Sequence, residues 1–138
     1  MTRVVVIGAG IIGTSCAYFL SRTGVDVVVI ERAQVGAGTT SRGEGNVELS
    51  DKAPGPELDL MQLSREKWLE IGEDCGVAPF ELQPKGTLVV ATSDLALKDL
   101  QRFANDQARA GVEVEFADKP NELEPNLSPD LPGAVHYP

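Results

Sequence analysis

The sequence predicts an α/β protein that opens with a parallel βαβ unit of the dinucleotide-binding kind. Three observations predict it. A β-branched apolar run, Val4–Ile7, leads straight into Gly8-x-Gly10-x-x-Gly13. A second strand-like run, Val25–Ile30, follows after one helix length. That run ends on Glu31, about 18 positions beyond Gly13 and near the roughly 20 expected of a ribose-binding acid.

Each piece of this unit has a physical reason. Continuous apolar, β-branched runs suit parallel strands buried on both faces, so both strands are expected to be buried. Gly8 permits the tight turn out of the first strand. Gly10 carries no Cβ, so a pyrophosphate can approach the backbone, and Gly13 lets the helix lie close to the sheet. The first helical N–H groups, at Ile11, Ile12 and Gly13, then offer an anion the positive end of the helix dipole. Ile12, Cys16, Ala17, Phe19 and Leu20 supply the expected apolar face, with Cys16 as a small core residue and Gly24 as the C-terminal cap. A carboxylate at Glu31 accepts from ribose hydroxyls and repels a 2′-phosphate.

Residues 32–52 read as a long loop rich in Gly, Thr and Ser. Loops of this length are uncommon unless they serve a function. The hydroxyls of Thr39, Thr40 and Ser41 can serve phosphates or a polar ring, and Arg42 can pair with a phosphate or a neighbouring acid. Ala53-Pro-Gly-Pro56 breaks the chain before a helix over Glu57–Asp74. Leu58, Met61, Trp68 and Ile71 mark its packed face, broadened by Leu60, Leu63 and Leu69, and Gly76 is its expected stop. Thr87–Ala91 reads as a strand. Ser93 or Asp94 caps a helix over Leu95–Ala110, with Leu97, Leu100, Ala104 and Gln107–Ala108 on the packed side and Gly111 as its end. Val112–Phe116 alternates apolar and acidic residues, as a half-exposed strand does. A proline-bearing tail from Lys119 holds one short helical turn near Glu122–Pro125 and ends at Ala134–Pro138 with neither helix cap nor polar terminus. His136, the single histidine, has no partner acid or nucleophile in view and reads as structural.

Bulk properties exclude several classes. The formal net charge of −9 argues against gripping a nucleic-acid backbone or an anionic membrane surface. No apolar stretch reaches the length of a membrane span. The N-terminus is not a signal peptide, because its apolar run carries the glycine turn. Cys16 and Cys75 form neither a CxxC pair nor a metal-ligand spacing, which suits a reducing, cytoplasmic compartment.

Together these residues resemble the FAD-dependent amino-acid and amine oxidoreductases of the D-amino-acid oxidase type. That family includes glycine oxidase, sarcosine oxidase β-subunits and hydroxyproline dehydrogenases. The resemblance rests on Val4–Gly13, on Val29-Ile-Glu-Arg32 and on Gly38–Asn46, with support from Lys85–Ala91 and Glu122–Leu127. It implies that Gly8, Gly10 and Gly13 face the FAD pyrophosphate and that Glu31 holds the adenosine ribose with Arg32 beside it. It further implies that Thr39, Thr40, Gly43, Glu44, Gly45 and Asn46 reach the phosphates and the isoalloxazine. Arg42-Gly-Glu-Gly45 departs here from the small-residue run of the glycine oxidases.

The family's chains are several hundred residues long, so the resemblance is to an N-terminal portion of a Rossmann-type FAD-binding half followed by the start of an α+β substrate domain. The expected division is 1–78 and 79–138. The implied reaction is oxidation of a small amino acid or secondary amine to an imine, by hydride transfer to the flavin. The residues that grip the substrate carboxylate fall beyond position 138, which makes the segment inactive alone and leaves the catalytic residues unassigned. Two alternatives stay open: an NAD-dependent dehydrogenase domain, and a non-catalytic folded fragment. No good third parallel strand follows Glu31, so an unpaired sheet edge is expected to engage a partner subunit or another copy. A monodisperse monomer in light scattering would contradict that expectation.

Overall fold

The computed structural model describes residues 2–75 and 81–138. The expected helix stop at Gly76 and the 78/79 boundary lie outside the described residues. The chain forms two compact units, Met1–Asn46 and Val47–Pro138.

In the first unit, β1 (Arg3–Ile7), α1 (Ile11–Ser21) and β2 (Asp26–Ile30) follow in order. The strands pair in parallel, Arg3 opposite Asp26 through Ile7 opposite Ile30. Val6 faces α1, because a Cβ built on Gly13 would meet its Cγ1 at 3.4 Å. Val5 and Ile7, and their cross-strand neighbours Val28 and Ile30, therefore share the opposite face. Burial on both faces is not what the structure shows: Ile7 is 87% and Ile30 53% exposed. The reason is that α1 covers one face, and among the described residues of this unit no second α-helix covers the other. The helix is corrected likewise. Ile12 and Cys16, four residues apart, lie on an outward stripe, so Cys16 is exposed rather than a core residue. The C-cap of α1 is Arg22 rather than Gly24, which follows two residues on in the turn, in the left-handed conformation at φ 77°.

The second unit contains α2 (Pro56–Cys75), β3 (Thr87–Ala91), α3 (Asp94–Arg109), β4 (Glu115–Ala117), α4 (Pro120–Leu123) and β5 (Gly133–Tyr137). The long helix α2 thus belongs to the second unit, whereas the sequence division groups it with the glycine turn. The antiparallel sheet runs β3-β5-β4, with Val89 opposite Val135 and Phe116 opposite Val135 from the other side. Its central strand is the tail that the sequence leaves without an element. Ser93 caps α3 as expected, accepting from the Ala96 N–H at 3.2 Å. The core joins Leu49, Leu58, Ala104, Val112, Val135 and Tyr137. Leu60, Leu63 and Leu69 do not broaden the packed face of α2; all three are exposed. His136 does find an acid, its Nδ1 lying 2.9 Å from Oε2 of the register partner Glu115.

Candidate cofactor-binding site

The three glycines sit at the junction of β1 and α1. Gly8 adopts φ 102°, open only to glycine without strain, and its N–H donates to the Ile30 carbonyl at 2.8 Å. Gly10 is the extended N-cap of α1, with no side chain to cap it. Gly13 meets the backbone directly, because a Cβ there would lie 1.9 Å from the Gly8 carbonyl oxygen. The turn is therefore shaped by three different demands: a left-handed residue at Gly8, room for the Thr40 hydroxyl at Gly10, where a Cβ would lie 3.2 Å from its Oγ1, and a backbone contact at Gly13.

Glu31 follows β2 and closes on this turn. Its Oε2 accepts from the Ala9 N–H at 2.9 Å, and its Oε1 from the Ala33 N–H at 2.9 Å. The Ala9 N–H, then that of Ala33, holds the carboxyl below its ordinary value of 4.5. Because the folded-state value is depressed, the stabilisation is complete above about pH 4.5 and is lost as the pH falls through the folded-state value. We expect Glu31→Gln to be less stable than wild type at neutral pH, since an amide offers one acceptor oxygen to two N–H donors. The gap between the two proteins closes on acidification below pH 4.5. Urea unfolding at a series of pH values measures this, and a gap independent of pH would contradict it.

The Gly/Thr/Ser loop folds back onto the same turn. The Thr40 hydroxyl accepts from the Ile11 N–H at 2.9 Å, and the Gly36 N–H donates to the Ala9 carbonyl at 2.9 Å. Thr40–Arg42 forms a 3-10 turn that starts from Thr39, and Ser41 closes it with its N–H on the Gly36 carbonyl and its hydroxyl on the Gly38 carbonyl. Among the described residues, the Ile12 and Gly13 N–H groups take no acceptor and remain at the end of α1 for an anion.

The structure thus joins Gly8, Gly10, Ile11, Gly13, Glu31 and Thr40 in one network. Arg32, Gly43, Glu44, Gly45 and Asn46 lie exposed along the same loop, with Gly45 at φ 79°. Ala9 was not legible in the sequence, and neither was the capping role of Thr40, although Thr40 itself was named as a site residue. Ala9 is buried and contributes both its N–H, to Glu31, and its carbonyl, to Gly36. Thr40 caps α1 from a position 29 residues on. No local pattern announces either, because both depend on the loop returning to the turn.

The geometry fits a dinucleotide: two helix-end N–H groups without an acceptor, a glycine turn and an anchored carboxylate beside them. Comparison with known proteins agrees. The chain is similar to glycine oxidase of Bacillus licheniformis, 30% identical over an alignment of 135 positions that covers 94% of this chain and 36% of that protein. It is also similar to glycerol 3-phosphate dehydrogenase of Caloramator mitchellensis, 30% identical over an alignment of 141 positions that covers 99% of this chain and 29% of that protein. Among solved structures, L-proline dehydrogenase from P. horikoshii superposes with a TM-score of 0.84 at 27% identity, covering 99% of this chain and 36% of that one. Glycine oxidase from Geobacillus kaustophilus gives 0.82 at 25% identity, covering 100% and 40%. The chain therefore spans two fifths or less of these relatives' lengths. A family model described as FAD dependent oxidoreductase matches residues 3–138, and FAD, not NAD, is that family's cofactor. On the strength of that match, this chain belongs to the family of FAD dependent oxidoreductases.

Proposed function

We propose that this segment is the FAD-holding portion of an oxidoreductase that oxidises a small amino acid or secondary amine to an imine. One observation carries the reading: Glu31 and Thr40, from separate parts of the chain, both bond the backbone of the glycine turn. In this reading Gly8, Gly10 and Gly13 leave room for the pyrophosphate, and the Ile12 and Gly13 N–H groups face it, while the Ile11 N–H stays on the Thr40 hydroxyl. Glu31 keeps free lone pairs on both oxygens for ribose hydroxyls while its other lone pairs hold Ala9 and Ala33, and Arg32 stands beside it. Thr39, Thr40, Ser41, Gly43, Glu44, Gly45 and Asn46 form the wall toward the phosphates and the ring.

When bound, FAD supplies the acceptor for a hydride from the substrate α-carbon. The chain's own part is to hold and orient. None of its described residues is given a catalytic role, and the second unit begins the substrate domain. Two free cysteines fit a reducing cytoplasm. The amine preference follows the relatives named as glycine oxidase and L-proline dehydrogenase. The relative named as glycerol 3-phosphate dehydrogenase is the competing case. In the protein that carries this segment, anaerobic mixing should bleach the flavin band with glycine, sarcosine or proline. Bleaching by glycerol 3-phosphate and by none of the amines would overturn the amine reading.

A further inference from the structure

The first unit carries Arg3, Arg22, Arg32 and Arg42 against Asp26, Glu31 and Glu44, which leaves it positive by one charge in a chain of net charge −9. Three of these arginines are engaged locally. Arg3 bridges Asp26 across the strands at 2.6 Å. Arg22 donates to the Tyr18 hydroxyl at 2.7 Å and lies over its ring. Arg32 adjoins Glu31 and attracts its carboxylate. Arg42 is exposed and takes no acceptor among the described residues, and Glu44 does not pair with it. The sequence leaves Arg42 two kinds of partner, a phosphate or a neighbouring acid, and no acid of this unit takes it up.

Its backbone is nevertheless fixed. The Arg42 N–H donates to the Thr39 carbonyl at 3.0 Å, which closes the 3-10 turn Thr40–Arg42. At the start of that turn the Thr40 hydroxyl accepts from the Ile11 N–H at 2.9 Å. Two residues of 3-10 turn rise only about 4 Å, so the end of α1 is within reach of an extended arginine side chain. That placement is unfavourable for a cation, since the end of α1 is itself positive and its first turn holds no acid. The Ile12 and Gly13 N–H groups, without acceptors among the described residues, add to the same excess. An anion relieves it. The helix end supplies roughly half a positive charge, too little for a doubly anionic pyrophosphate, and one arginine brings the sum to roughly one and a half. A guanidinium also matches phosphate oxygens with paired N–H groups.

We propose that Arg42 is a specificity-determining residue of the cofactor site, its guanidinium adding a charged contact to the pyrophosphate beyond the Ile12 and Gly13 N–H groups. The inference rests on the reading that the glycine turn holds FAD. The test titrates the protein that carries this segment with FAD and with ADP, as wild type, Arg42→Gln, Arg42→Lys and Arg22→Gln. Each titration is run at about 0.1 M and about 1 M salt, between which the Debye length falls from roughly 10 Å to roughly 3 Å. Arg22→Gln is the control: it removes the same charge at the far end of the 11-residue α1, roughly 16 Å along the helix. Arg42 is exposed, so the fold survives both of its substitutions. Arg42→Gln should weaken FAD and ADP alike, by about tenfold at the lower salt, the scale of one hydrogen bond to a charged group, and by much less at the higher. Arg42→Lys should keep the salt dependence, because the charge remains, and recover only part of the affinity, because the paired N–H groups do not. Arg22→Gln should stay within about twofold of wild type. If Arg42→Gln matches Arg22→Gln for both ligands, Arg42 is a solvated surface charge and the proposal falls. Loss of FAD affinity with ADP untouched also overturns it, because the contact is then to the ring. Wild type that binds ADP and not FAD refutes the flavin reading, while the ADP arm still decides Arg42. Binding of neither ligand sinks both.

Discussion

Gly13→Ala should disrupt the first unit and abolish FAD binding. A Cβ at that position would stand 1.9 Å from the Gly8 carbonyl oxygen and 3.1 Å from its carbon. Both are backbone atoms, so no side chain can swing aside; either α1 lifts from the sheet or the turn opens. Overpacking of well-fitted sites costs about 1–3 kcal/mol and sometimes more, and a backbone clash this short belongs at or above the upper end. That is a large share of the roughly 5–15 kcal/mol by which domains are stable. Gly8→Ala gives the internal contrast. Its Cβ would meet nothing within 4 Å, yet φ is 102°. It should therefore cost backbone strain alone, on the order of 1–2 kcal/mol. Chemical unfolding of both variants should rank Gly13→Ala as the worse. The reverse order would mean that close helix–strand contact is not what the third glycine provides.

Leu58→Ala should be the most damaging single truncation in the second unit. Leu58 is 0% exposed and belongs to the cluster with Leu49, Ala104, Val112, Val135 and Tyr137. Removing such a side chain costs about 2–5 kcal/mol through lost transfer energy and the cavity left behind. In a domain of about a hundred residues, each kcal/mol lowers the melting temperature by roughly 4–8 °C. Leu60→Ala, two residues along the same helix and 67% exposed, should stay within about 0.5 kcal/mol of wild type. Differential scanning calorimetry of the pair measures this contrast, and equal losses would contradict the packing described for α2.

How far the sequence disclosed this structure depends on how local each signal is. The βαβ unit was readable because strand residues, a glycine turn and a largely apolar helix are adjacent and each obeys its own steric rule. Ser93 was readable as a cap for the same reason. Burial was not, because a β-branched run says that a strand forms and not how many elements cover it. Val5 and Ile7 look like interior residues, yet they lie open beside a two-stranded sheet. The central strand β5 was hidden because its partners are remote: Val135 pairs with Val89, and prolines precede it at 125, 129 and 132. In the candidate site, the glycines and Glu31 were legible from spacing. Ala9 and the capping role of Thr40 were not, since a hydroxyl in a polar loop does not reveal which N–H it will find.

The central claim is that the glycine turn and the Glu31 carboxylate together hold FAD. Calorimetric titration of the protein with FAD, and in parallel with NAD, for wild type and for Glu31→Ala, tests it most directly. The account predicts saturable one-to-one binding of FAD that is far tighter than that of NAD and is weakened at least tenfold in Glu31→Ala, the scale of one strong hydrogen bond. Tighter binding of NAD than of FAD, or FAD affinity unchanged by the loss of the carboxylate, would contradict it.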